Sequence, residues 1–229
     1  MKPYLESNNL IIALFASEIL PSFLTEKFLK ESTVIPNDWQ FAQPPDIRDV
    51  DALVIFTNGV QISAEEGAIF FSEELAPDLT TRAIIPAIVA RWVQIWSQQI
   101  NHYGVAIKPN SFYTFQQNNT HKPNHYIPTD LLISNTLNNF SHDSVRATLE
   151  LVMTSQKGEF SISIEDVLLQ QQRDNTFKAG VLIKGNFNYD VSNLSIPDRQ
   201  KALSKYISSW QEDWNKYHQI LNQKFLNLN

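Results

Sequence analysis

The chain of 229 residues carries 18 Lys+Arg against 24 Asp+Glu, a formal charge of −6, and its 43% apolar content can fill a sizeable core. It has no cysteine, which excludes disulfides, thiol nucleophiles, iron–sulfur clusters and cysteine-bound zinc. Six glycines are few for a chain that would wrap phosphates in backbone, and the acidic balance argues against a nucleic-acid backbone as the main partner.

In chain order, Leu10 to Ala16 reads as a strand buried on both faces. Lys2 precedes it as in a short signal peptide, but Glu6, Asn8, Asn9 and Glu18 surround the run with the wrong chemistry. No other apolar stretch approaches the ~18–20 residues that span a bilayer, so a soluble, cytoplasmic protein without a membrane partner is expected. Ser17 can cap a helix that Pro21 opens and that runs to Glu31, with Leu20, Phe23, Leu24, Phe28 and Leu29 on one face. A loop from Pro36 to Pro45 holds Trp39 and Phe41. Asp51 to Thr57 is a strand, Asn58-Gly59 is the pair that suits a two-residue hairpin turn, and Val60 to Ser63 returns. Ala68 to Ser72 makes a third strand. From about Leu79 to Tyr103 the period turns helical, with Ile85, Val89, Trp92, Trp96 and Tyr103 aligned; Pro86 either kinks this helix or marks its start.

The order then repeats. Gly104 to Phe115 has strand character interrupted at Pro109-Asn110, and Gln116 to His125 is a long polar loop. Ile127 to Leu132 resembles a proline-started helix, Ser144 to Thr154 is a strand, and Phe160 to Ile164 alternates strictly after a Lys157-Gly158 turn. Phe177 to Tyr189 is a long strand with Val181, Ile183, Phe187 and Tyr189 on one face. A helix beginning at Ser195 or Asp198 runs to about Leu226. Both halves therefore read strand, helix, three strands, helix. The expected fold is α+β, two similar βαβββα units over residues 1–103 and 104–229, with mostly antiparallel sheet backed by helices. Trp92/Trp96 in one half answers Trp210/Trp214 in the other.

The last helix is the most informative segment. Leu203, Ile207, Trp210, Trp214, Tyr217, Leu221 and Phe225 are spaced 4, 3, 4, 3, 4 and 4, which keeps one apolar seam. A rod of that length spans about 45 Å, longer than a small domain, so one end of the seam needs a further partner: the first unit, or a second copy of the chain. This favours a non-enzymatic interaction or assembly module, with those seven residues as its interface and a homodimer or another protein as partner. The pattern Trp214-x-x-Tyr217-His218-x-Ile220-x-x-x-x-Phe225 resembles the closing helix of a family of sporadically distributed, uncharacterised bacterial proteins, though Leu226-Asn227 departs from that family's finish. The resemblance implies no activity and carries no functional residue.

Motifs of conventional catalysis are missing: the sequence has no G-x-S-x-G, S-x-x-K, H-E-x-x-H or G-x-G-x-x-G. His121 and His125 have the separation of a helical metal pair, but Pro123 opposes a helix there. Asp46, Asp49 and Asp51 lack the glycine and glutamate of a calcium loop and read as a solvated approach to a strand. Glu65-Glu66 and Glu73-Glu74 read as residues that keep a strand edge wet. No metal and no cofactor is expected. The alternative function is a hydrolase or other small-molecule enzyme with a dispersed site between the units, using His218, His142 or a carboxylate.

Overall fold

The alternating runs become strands of one sheet. A computed structural model describes residues 3–76, 83–96, 99–115, 148–155, 158–170 and 177–226. Its strands are β1 (Pro3–Phe15), β2 (Asp46–Ile47), β3 (Asp51–Ile55), β4 (Gln61–Glu65), β5 (Ala68–Glu74), β6 (Gly104–Phe115), β7 (Thr148–Ser155), β8 (Gly158–Gln170) and β9 (Phe177–Asp190). They form a nine-stranded sheet in the order β2-β3-β4-β5-β1-β6-β9-β8-β7, every neighbouring pair antiparallel. The helices are α1 (Glu26–Glu31), α2 (Ile85–Trp96), α3 (Ile196–Ser208) and α4 (Trp210–Ile220), followed by a π turn at Leu221–Phe225. The fold is α+β with an antiparallel sheet. No helix among the described residues is long and apolar enough to cross a membrane.

Period-2 side chains decide which face the helices cover. Leu10, Ile12 and Leu14 of β1 lie on the same face as Ile69 and Phe71 of β5 and Val105 and Ile107 of β6, and all are buried. α2 packs there against β5 and β1, while α3 and α4 pack against β6. Val181, Ile183, Phe187 and Tyr189 share this face, as their common parity implies. One apolar cluster runs from Leu10 through α2 and the sheet to Leu226.

Several local expectations are corrected. The segment Ser17 to Glu31 is not one helix: a 3-10 turn at Pro21–Phe23 precedes α1, whose cap is Thr25, its Oγ1 accepting from the Phe28 amide at 3.1 Å. The hairpin between β3 and β4 uses three loop residues, because the Phe56 amide donates to the Val60 carbonyl and the Gly59 amide to the Phe56 carbonyl. Only Gly59 in that loop takes a positive φ (86°), the left-handed residue of a three-residue turn. Pro86 marks a start rather than a kink, since α2 begins at Ile85 and ends at Trp96, leaving Tyr103 outside it. The Glu73 carboxylate supplies a cap from the neighbouring strand, its Oε2 accepting from the Ile84 and Ile85 amides at 2.7 and 3.1 Å. Glu73 is thus buried at the helix terminus rather than wetting an edge, and desolvation holds its carboxyl above the usual range.

Pro109 does not interrupt β6, which continues through it to Phe115. Gly185 on β9 makes this possible: a Cβ there would stand 2.9 Å from Pro109 Cγ and 2.7 Å from Tyr217 Cδ2. The proline ring and the fully buried tyrosine share the space that a side chain would take. Gly185→Ala is expected to lower the unfolding free energy by about 1–3 kcal/mol, because Tyr217 is also held by its hydroxyl on the Ile183 carbonyl at 2.8 Å. Urea denaturation measures this; an unchanged midpoint would show that the two rings can yield.

The long final helix is interrupted at Ser209, where ψ opens to 11° between α3 and α4. The proposed helix at Ile127 to Leu132 lies outside the described residues, as do His121, His125 and His142.

Candidate functional site

Three places bear on function: the seam, a cleft beside α3, and the two edges of the sheet. The seam comes first. Leu203, Ile207, Trp210, Trp214, Tyr217, Leu221 and Phe225 are all buried within the single chain, none more than 9% exposed. Within the single chain it is core rather than exposed surface. The rod is divided at Ser209 into α3 and α4, and of the two shelters expected for the seam the first half of the chain supplies one. α3 packs against α2 and β6, so the first half of the chain shelters part of the seam. Polar groups fasten the rest. The Tyr189 hydroxyl donates to the Asp213 carboxylate at 2.8 Å and its ring stacks on Tyr206, with centroids 4.1 Å apart. Lys216 lies over Phe160 and Phe187, 5.1 and 5.8 Å from their ring centroids.

His218 belongs to this packing. Its ring lies 4.7 Å from that of Trp214 and 5.0 Å from that of Tyr217, and its Nε2 is buried without a hydrogen-bond partner. Desolvation lowers its pKa to about 4, so it is neutral at pH 7.

A cleft of about 300 Å³ lies between the α2–β6 connection and the first turns of α3. Glu18, Asn101, His102, Arg199 and Gln200 bring polar groups to it, with Ile100, Ile196 and Leu203 as apolar wall. Its two most chemically capable groups are already engaged. His102 is 3% exposed, and its Nε2 accepts from the Trp92 indole N–H at 3.2 Å. Burial lowers its pKa to about 4, against the opposing pulls of Glu18 and of the bond to the Ile100 carbonyl. An imidazole holding an indole on one nitrogen and a carbonyl near the other is an anchor for the connection, not a free base. Arg199 donates to the Leu194 and Ser192 carbonyls and to Asn101 Oδ1, which ties the α3 entrance to the α2–β6 connection. The cleft thus gathers a histidine, a carboxylate and an arginine, with His102 spent on Trp92 and Glu18 accepting from the exposed Ser17 hydroxyl at 3.1 Å.

The sheet edges are unlike each other. One ends in β2, only two residues long, beside Asp46, Asp49 and Asp51. Arg48 bridges this acidic group, 2.6 Å from Asp46 and 3.8 Å from Asp51. A short, charged edge resists pairing with other chains. The other edge is β7, eight residues, Thr148-Leu-Glu-Leu-Val-Met-Thr-Ser155, with neither lysine nor proline. It pairs with β8 on its inner side, and among the described residues no strand pairs on its outer side. Leu151, Val152 and Met153 are 39%, 57% and 40% exposed. Leu149, Leu151 and Met153 stand opposite Ile164, Ile162 and Phe160, so they prolong the buried, helix-side layer of the sheet to its margin.

Sequence reasoning placed a strand here but not its exposure. The signal available was the absence of any guarding charge in Leu151-Val152-Met153. Neither a protein-family model nor a curated protein matches the chain.

Proposed function

We propose that this protein is a non-enzymatic interaction module that takes up an extended polypeptide segment along β7. The observation that carries this reading is the contrast between a guarded edge at β2 and an unguarded apolar edge at β7. An open edge offers backbone donors and acceptors for strand addition, and Leu151, Val152 and Met153 offer side-chain contacts on both faces. The test is nuclear magnetic resonance titration with alternating apolar octapeptides. Shifts confined to residues 148–155 and 158–165 are expected, weakened at least tenfold in Leu151→Lys. No binding by any such peptide, together with slow exchange of the outward β7 amides, would refute the reading.

We also infer that residues 1–103 and 104–229 are copies of one βαβββα unit. The strand order supports it: β1 is followed outward by β5, β4 and β3, and β6 is followed outward by β9, β8 and β7. Trp92–Trp96 and Trp210–Trp214 lie on the closing helices at similar ring separations of 6.1 and 6.3 Å. In this scheme β7 answers β3, whose outer side is covered by β2. Among the described residues β7 has no neighbour answering β2 on its outer side, and the recognition role is assigned to that flank.

A further inference from the structure

Resting on the reading of β7 as a recognition edge, we propose that its occupant is a second copy of this chain, with the two β7 strands paired antiparallel about a two-fold axis at Leu151. The edge asks for an extended segment that alternates apolar residues on the helix-covered face, and β7 is itself such a segment. A two-fold axis perpendicular to the sheet keeps helix-covered faces on the same side, so residues of equal parity must stand opposite each other. With Leu151 on the axis, Leu151 meets the partner's Leu151, and Leu149 meets the partner's Met153. Six apolar side chains then close into one layer continuous with Phe160, Ile162 and Ile164 of each copy.

The charges agree with this register. Glu150 is the only charged residue of the strand, and it falls opposite the partner's Val152 rather than opposite its own kind. Thr148 falls opposite the partner's Thr154, a pairing that suits hydroxyls. Moving the axis to Val152 would set Leu149 against the partner's Ser155 and break the apolar layer. A contact of seven residues from each strand, 148–154, is at the small end of specific interfaces, so the dimer is expected to dissociate reversibly on dilution.

The lack of native cysteine makes the register directly readable. Directly opposite Cα atoms stand about 4.5–5.5 Å apart, within the range that a disulfide accepts. Leu151→Cys is therefore expected to give a disulfide-linked dimer under mild oxidation. Leu149→Cys is not, because the two positions 149 would be offset by four residues, ~14 Å along the strand. In sedimentation, the full-length protein should shift from dimer to monomer on dilution, and Leu151→Lys should raise the dissociation constant at least about 30-fold with an unchanged melting temperature. A protein monomeric at high concentration, or equal cross-linking at 149 and 151, would overturn the proposal. If the protein is monomeric while octapeptides still bind β7, the dimer alone is refuted. If the outward β7 amides are protected in the monomer, the interaction reading falls with it.

Discussion

Trp92→Ala is expected to lower the unfolding free energy by about 3–5 kcal/mol, the cost of removing a fully buried indole from a closed core. Trp92 lies where four elements meet. Its ring is 6.0 Å from Phe28, 5.9 Å from Phe71 and 6.1 Å from Trp96, and its N–H ends on His102. The cavity left by alanine would be lined on every side by groups fixed elsewhere, so little collapse can fill it. Trp92→Phe separates packing from the hydrogen bond. It keeps most of the apolar volume but strips His102 of its donor, freeing Nε2 to accept a proton. Because burial is what lowers the His102 pKa, it should stay well below its ordinary value in this variant, which an imidazole titration reads directly. Denaturant unfolding of both variants checks the energetics. A loss below about 1 kcal/mol in the alanine variant would show that α2 does not clamp the first half of the sheet.

Acidification from pH 7 to pH 5 is expected to remove about 4 kcal/mol of stability through two histidines. His102 and His218 both have pKa values lowered to about 4 by burial, against 6.5 for a free imidazole. In the window between those values the unfolded chain binds a proton on each ring that the folded chain refuses. The contribution is complete above pH 6.5 and is lost as the pH falls toward 4, at up to ~1.4 kcal/mol per pH unit per group. Glu73 works in the opposite sense near the carboxylate range, because its raised pKa makes the folded state take up that proton first. The slope between pH 6.5 and 5 is therefore the clean measure. Urea midpoints should fall across it in the parent and flatten in His102→Gln/His218→Gln. A parent whose midpoint is level from pH 7 to pH 5 would mean that neither ring is kept from protonation by the fold.

Much of the architecture is legible in local pattern. Phe160-Ser-Ile-Ser-Ile164 and Val181-x-Ile183 place side chains alternately, and the same residues are buried in the sheet. The 3- and 4-residue spacing from Leu203 to Phe225 marks one helix face, and that face is the buried one. These inferences need only the chain's own periodicity, because burial of one side of a strand or helix leaves its mark at every turn or pleat.

What local pattern cannot express is which neighbour arrives from far along the chain. Pro109 argues against a central strand until Gly185, 76 positions later, is seen to leave room for its ring. Glu73 looks like a wet carboxylate until the amides of Ile84 and Ile85 are brought to it. The seam seems too long for its own half until the helix is interrupted at Ser209 and α2 comes alongside α3. Leu149, Leu151 and Met153 alternate as any strand does, whether central or marginal. Their composition made them a strand, but only the order of the sheet placed them last among the described strands, since lateral pairing is decided by contacts between distant segments rather than by the residues of the strand itself.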